Sequence, residues 1–128
     1  MITEASSFQL ETTVAFKPHV AALLNLTPDH LNRHKTMDAY GKAKSRAFQN
    51  QTEDDFAIVN AEDEICVKLA REYSGKLVLF SSRHTDGVNC FVENEWIKIR
   101  NLSDEIIEVM PVEEIKLVGT HNLENVLA

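Results

Sequence analysis

Val20-Ala-Ala-Leu-Leu-Asn-Leu26 is a short continuous apolar run that gives way at once to Thr27-Pro28-Asp29-His30. A run of that length without alternation predicts a strand buried on both faces of a parallel sheet, and Pro28, lacking an N–H, ends the pairing. Downstream, Thr36 to Gln49 carries apolar residues at helical spacing, with Thr36 or Asp38 as its cap. Phe56-Ala-Ile-Val-Asn60 predicts a second buried strand, and Glu62 to Tyr73 a second helix closed by Ser74-Gly75. Lys76-Leu-Val-Leu-Phe80 predicts a third strand. Past residue 82 the period changes. Asn89-Cys-Phe-Val-Glu93 and Trp96-Ile-Lys-Ile-Arg100 alternate on either side of Asn94-Glu95, as in a β-hairpin. Glu105 to Val109 and Glu114 to Val118 continue the alternation, and Gly119-Thr-His-Asn introduces a further helix from Leu123 to Ala128. The fold class expected is α/β: a mostly parallel sheet flanked by helices over 1–82, a small antiparallel β annex over 83–118, and the start of a helix over 119–128.

Composition narrows the function. Four glycines and three prolines in 128 residues argue against a loop-dominated or disordered chain. A formal charge of −7, with 20 acidic against 13 basic residues, repels nucleic acid, so any phosphate ligand must be held locally by metal ions, backbone N–H groups or helix N-termini. Cys66 and Cys90 lie outside any CxxC spacing and read as free thiols in a cytoplasmic protein, Cys66 as a packed small hydrophobe. No apolar run approaches the ~18–20 residues of a membrane span.

Four places carry candidate chemistry. Glu4-Ala-Ser-Ser-Phe-Gln-Leu-Glu11 sets a carboxylate, two hydroxyls and an amide close together; it reads either as a site for a hard cation and a polar substrate or as an acidic turn with helix-capping serines. Thr27-Pro28-Asp29-His30, followed by Asn32, Arg33 and His34, falls at the carboxyl edge of a parallel strand, where open α/β sheets gather ligands. Lys44 lies in the middle of the face shared by Met37, Tyr40, Ala43, Ala47 and Phe48, while Lys42, Ser45, Arg46 and Gln49 take the other face. Such a lysine snorkels, pairs or loses its charge; the neutral amine reacts with carbon dioxide to give a carbamate, an anionic oxygen donor. Asn122 and Asn125 share one face at the start of the last helix, as caps or as partners of an adenine edge. Asn60-Ala-Glu-Asp63 reads as a strand-to-helix cap.

Taken in order, Glu4-Ala-Ser-Ser-Phe-Gln-Leu, Leu24-Asn-Leu-Thr-Pro-Asp-His-Leu-Asn-Arg-His34, Tyr40-Gly-Lys-Ala-Lys44 and Gly119-Thr-His-Asn-Leu-Glu-Asn-Val-Leu-Ala128 resemble the central-domain motifs of the Mur ligase family. Their wording is most similar to the branch that adds D-glutamate to UDP-N-acetylmuramoyl-L-alanine. The resemblance implies a P-loop-NTPase-like sheet and an ATP-dependent amide synthesis through an acyl phosphate in peptidoglycan precursor synthesis. Its partners would be UDP-N-acetylmuramoyl-L-alanine, D-glutamate and ATP, with two Mg²⁺ ions. It implies that Glu4 ligates Mg²⁺ and that His30 sits beside a second Mg²⁺ and the substrate. Lys44 would be carbamylated at that second metal, Ser6 and Gln9 would contact substrate, and Asn122 and Asn125 would lie at the adenine and ribose. Asn32 stands where the family usually has Asp, which removes one charge near His30.

The family's Gly-rich phosphate loop has no counterpart in the sequence, and the last helix reads as interrupted, so the chain reads as a fragment cut at both ends. Such a fragment is expected to bind ATP weakly or not at all, to be inactive by itself, to lack the carbamate on Lys44, and to self-associate through an exposed sheet edge. Two other readings share the architecture: a non-catalytic binding module, and a related folylpolyglutamate-type ligase with a different acid substrate.

Overall fold

A computed structural model describes residues 2–27, 36–83, 86–101, 103–116 and 119–128. Its elements are α1 (Ser7–Glu11), β1 (Val20–Leu23), α2 (Met37–Ser45) running into a 3-10 turn (Arg46–Phe48), and β2 (Phe56–Asn60). There follow α3 (Glu64–Ala70), β3 (Lys76–Ser81), β4 (Cys90–Glu93), β5 (Trp96–Arg100), β6 (Ile106–Pro111), a 3-10 turn (Val112–Glu114) and α4 (Thr120–Leu127). The strands form one mixed sheet in sequential order, parallel from β1 to β4 and antiparallel from β4 to β6. The α/β class read from the sequence is therefore the one observed, and the antiparallel strands continue the same sheet rather than form a separate layer.

Asn89 makes that continuity possible. Its N–H donates to Leu79 O at 2.7 Å and its Oδ1 accepts the Leu79 N–H at 2.9 Å, while its carbonyl accepts the Arg100 N–H. One residue thus completes the edge of β3 and starts the antiparallel ladder. The β4–β5 turn is the expected two-residue one. Both Asn94 (φ 52°) and Glu95 (φ 64°) are left-handed, the twist that suits a tight hairpin, although Glu is not a residue that favours it. The Glu95 carbonyl accepts from Val112 N at 2.8 Å, which pins the turn from the far end of β6.

Alternation of side chains along β2 splits the core in two. Ala57 and Val59 face α2 and α3, in a cluster with Ala21, Leu23, Leu26, Tyr40, Phe48, Cys66 and Leu69. Ile58 faces the other way, toward Phe80, Ile97, Leu123 and Leu127 under α4. This geometry corrects three expectations. β1 is not buried on both faces: Ala21 and Leu23 are buried, but Val20 is 51% exposed and Ala22 is exposed, because among the described residues only the α2–α3 side covers that strand. Glu114 to Val118 is not a strand over its described part. Pro111 closes β6, the chain turns, and Ile115 packs into the α4 cluster. Ser45, expected on the polar face of its helix, is fully buried and its Oγ lies 3.1 Å from the Tyr73 hydroxyl, because the segment after α3 packs against that side of α2.

Candidate functional site

The Glu4–Glu11 segment opens without a strand at residues 2–6 and forms α1. Ser6 and Gln9 make a reciprocal capping box. The Ser6 N–H donates to Gln9 Oε1 at 2.9 Å, and the Gln9 N–H donates to Ser6 Oγ at 3.3 Å. The helix-capping reading of the serine therefore holds. Both side chains remain exposed, as does Glu4.

α1 is fixed to the helix that carries Lys44. Arg46, just past the end of α2, donates from Nε to Leu10 O at 2.9 Å and from a terminal nitrogen to Thr13 O. Asn50 continues the stitching to Val14 O and Phe16 O, and Gln51 to Pro18 O and Phe56 O. The strap ends at Asp55, whose buried carboxylate accepts from Thr52, His19 and Lys17. The Thr52 backbone N–H, then His19, hold that carboxyl well below its usual range against the opposing effect of burial. A row of side-chain donors on one short stretch thus sets the Glu4–Gln9 motif against α2. Sequence periodicity marked Arg46 only as a polar-face residue, because its acceptors are backbone carbonyls 33 and 36 positions away.

Thr36 caps α2, its Oγ1 accepting the Ala39 N–H at 3.1 Å. Lys44 is half-buried, its ammonium 5.8 Å from the Tyr40 ring centroid. His30 and Asn32 lie outside the described residues. Asn122 and Asn125 are on α4, half-buried and exposed respectively. The structure thus brings the Glu4–Gln9 segment and the Lys44 helix together on one side of the sheet, and places Asn122 and Asn125 on the helix of the opposite side. Among the described residues no three His, Cys, Asp or Glu side chains gather as a metal cluster. Glu4 offers one hard oxygen donor, and Lys44 offers one only as a carbamate.

The carboxyl ends of β2 and β3 hold a polar group that sequence reading treated as a cap alone. Asn60 Oδ1 accepts from Glu62 N and Asp63 caps α3, as expected. Glu62 reaches further: one oxygen accepts from Ser81 Oγ (2.8 Å), Ser82 N (3.1 Å) and Ser82 Oγ (3.3 Å), and the other faces Arg83 Nε at 3.2 Å. Burial works to raise this carboxyl, but the Ser81 and Ser82 donors and the Arg83 guanidinium outweigh it and hold the group below its usual range.

Comparison with known proteins agrees with the fold and with the family resemblance. The sequence profile described as the Mur ligase middle domain matches residues 1–128. A UDP-N-acetylmuramoylalanine--D-glutamate ligase of Koribacter versatilis (strain Ellin345) is 48% identical over 127 residues, covering 99% of this chain and 28% of the relative. The protein of the same name from Clostridioides difficile (strain 630) is 43% identical over 128 residues, again across 28% of its own length. Among solved structures, a UDP-N-acetylmuramoyl-L-alanyl-D-glutamate--2,6-diaminopimelate ligase superposes with a TM-score of 0.70 at 25% identity, over 97% of this chain and 27% of that one. This chain thus spans little more than a quarter of the length of the proteins it matches.

Proposed function

The chain belongs to the Mur ligase family, within its middle domain, and on that premise we propose that it is the nucleotide- and substrate-binding part of an ATP-dependent ligase that adds D-glutamate to UDP-N-acetylmuramoyl-L-alanine. The observation that carries the reading is identity of 48% and 43% across essentially the whole chain to two relatives that bear that name. The order and wording of the four motifs support it.

The proposed reaction joins a carboxylate and an amine. An oxygen of the substrate carboxylate attacks the γ-phosphorus of ATP, ADP leaves, and the amine of D-glutamate then attacks the acyl carbon with departure of phosphate. The barrier is the approach of two anions, so local positive charge and fixed geometry do most of the catalysis. Two Mg²⁺ ions, when bound, would supply charge neutralisation at the transferring phosphoryl group. In this chain Glu4 would hold one, and His30 and a carbamylated Lys44 would lie at the second. Ser6 and Gln9 would orient the substrate; their capping box leaves both exposed at the start of α1. Asn122 and Asn125 would meet the adenine and ribose. An enzyme using a nucleotide-sugar substrate and ATP would work in the bacterial cytoplasm.

The test is turnover by the full-length protein. ADP release is expected to require both UDP-N-acetylmuramoyl-L-alanine and D-glutamate. Release that is indifferent to the UDP-muramoyl compound, or that responds to a folate instead, overturns the reading. Lys44→Arg keeps the cation but cannot become a carbamate, and is expected to abolish release.

A further inference from the structure

Asp63 does more than cap a helix. Its Oδ1 accepts the N–H groups of Ile65 (3.1 Å) and Cys66 (3.0 Å), which completes the N-terminus of α3. Its Oδ2 accepts the N–H of Leu26 at 2.8 Å, from 37 positions earlier in the chain. Leu26 lies beyond the end of β1 at Leu23, so its N–H is held by this carboxylate and not by the ladder. The Leu26 side chain is fixed as well. It is buried, and its two Cδ atoms lie 3.7 and 3.8 Å from where a Cβ on Gly41 would stand. That missing Cβ would also lie 2.9 Å from Leu69 Cδ1, so glycine opens a notch between α2 and α3 that Leu26 fills. Lys44 lies about one turn along α2 from the notch. The same groups converge electrostatically: burial pushes the Cys66 thiol up, the Asp63 carboxylate adds to this, and the Lys44 ammonium opposes it.

We infer that Asp63 is a positioning residue of the proposed ligase site. It clamps Leu26 into the Gly41 notch and so fixes where the chain leaves β1, at Leu26 and Thr27, relative to the helix that carries Lys44. The functional half of this inference rests on the ligase reading; the clamp itself does not. Two oxygens working separately are what the arrangement demands. Asparagine keeps Oδ1 for Ile65 and Cys66 but turns an NH₂ group toward the Leu26 N–H, donor against donor. Serine keeps the cap and has no second acceptor. Both substitutions therefore separate the clamp from the cap.

The experiment compares full-length wild type, D63N and D63S by site-resolved amide hydrogen exchange, thermal unfolding and steady-state ADP release. A charge-assisted bond of this kind predicts that Leu26 exchanges at least about tenfold faster in both variants, with Ile65 and Cys66 still protected. Turnover (kcat) for D-glutamate-dependent release is expected to fall by a comparable factor while KM for ATP holds. Unchanged Leu26 exchange overturns the clamp. Wild-type kcat in a variant whose Leu26 amide exchanges fast overturns the positioning role. If D63N also loses protection at Ile65 and Cys66, the same two outcomes are read from D63S. Wild-type protein that releases no ADP in response to D-glutamate sinks the ligase reading instead, and Leu26 exchange then decides the clamp by itself.

Discussion

Removing the Glu62 carboxylate should loosen the carboxyl edge of the sheet by a predictable amount. One oxygen of Glu62 accepts from Ser81 Oγ, Ser82 N and Ser82 Oγ, and its side chain is only 15% exposed. Hydrogen bonds to a charged, partly buried group contribute about 1.5–3 kcal/mol net. The Arg83 pair is a different matter, because that guanidinium side chain is 74% exposed and such pairs are worth about 0.2–1 kcal/mol. Glu62→Ala is therefore expected to cost about 2–3 kcal/mol, or roughly 10 °C in Tm for a domain of this size, and Arg83→Ala less than about 1 kcal/mol. Glu62→Gln keeps an acceptor oxygen and should fall between them. The folded carboxyl sits below its usual range, so its stabilisation is full above the unfolded value and is lost as pH falls through the folded one. The gap between wild type and Glu62→Ala should then be widest near neutrality and close below about pH 4. Chemical denaturation of the three variants at several pH values measures all of this. An Arg83→Ala cost equal to that of Glu62→Ala, or a gap that widens in acid, would refute the reasoning.

Phe48 is fully buried and its ring centroid lies 6.1 Å from that of Tyr73, so Phe48→Ala is expected to destabilise by about 3–5 kcal/mol in urea titration. Thr36→Ala removes the α2 cap and should cost about 1 kcal/mol, with Thr36→Ser recovering most of it in the same assay. Asp55→Asn is expected to lower Tm at pH 7 and to flatten the acid side of the Tm–pH curve. The depressed Asp55 carboxyl contributes above its unfolded value of about 4 and loses that contribution as pH drops further. An acid limb unchanged in that variant would show that the strap over residues 12–19 is not held there.

The elements legible from the sequence were those encoded locally. Helical spacing around Tyr40, Ala43 and Phe48, the Thr36 and Asp63 caps, and the Asn94-Glu95 turn all depend on residues a few positions apart, so periodicity and side-chain chemistry reveal them. The motif segments around Glu4 and Lys44 could be read the same way, but not that Arg46 would bind α1 to the Lys44 helix. Burial depends on neighbours that a linear pattern does not specify. Ser45 is polar, on the face that periodicity assigns to solvent, and is nonetheless buried beside the Tyr73 hydroxyl; Val20 is apolar and exposed, because in the described fold helices cover only one face of β1. The second oxygen of Asp63 and the reach of Glu62 to Ser82 join residues 37 and 20 positions apart. Sequence alone marked where most of the strands and helices fall, since those choices are made within a few residues, but not that β1 ends at Leu23 or that the chain leaves the sheet after Pro111. Tertiary structure decided which polar groups meet, because a carboxylate finds its partner only after the sheet order has brought two loops to the same edge.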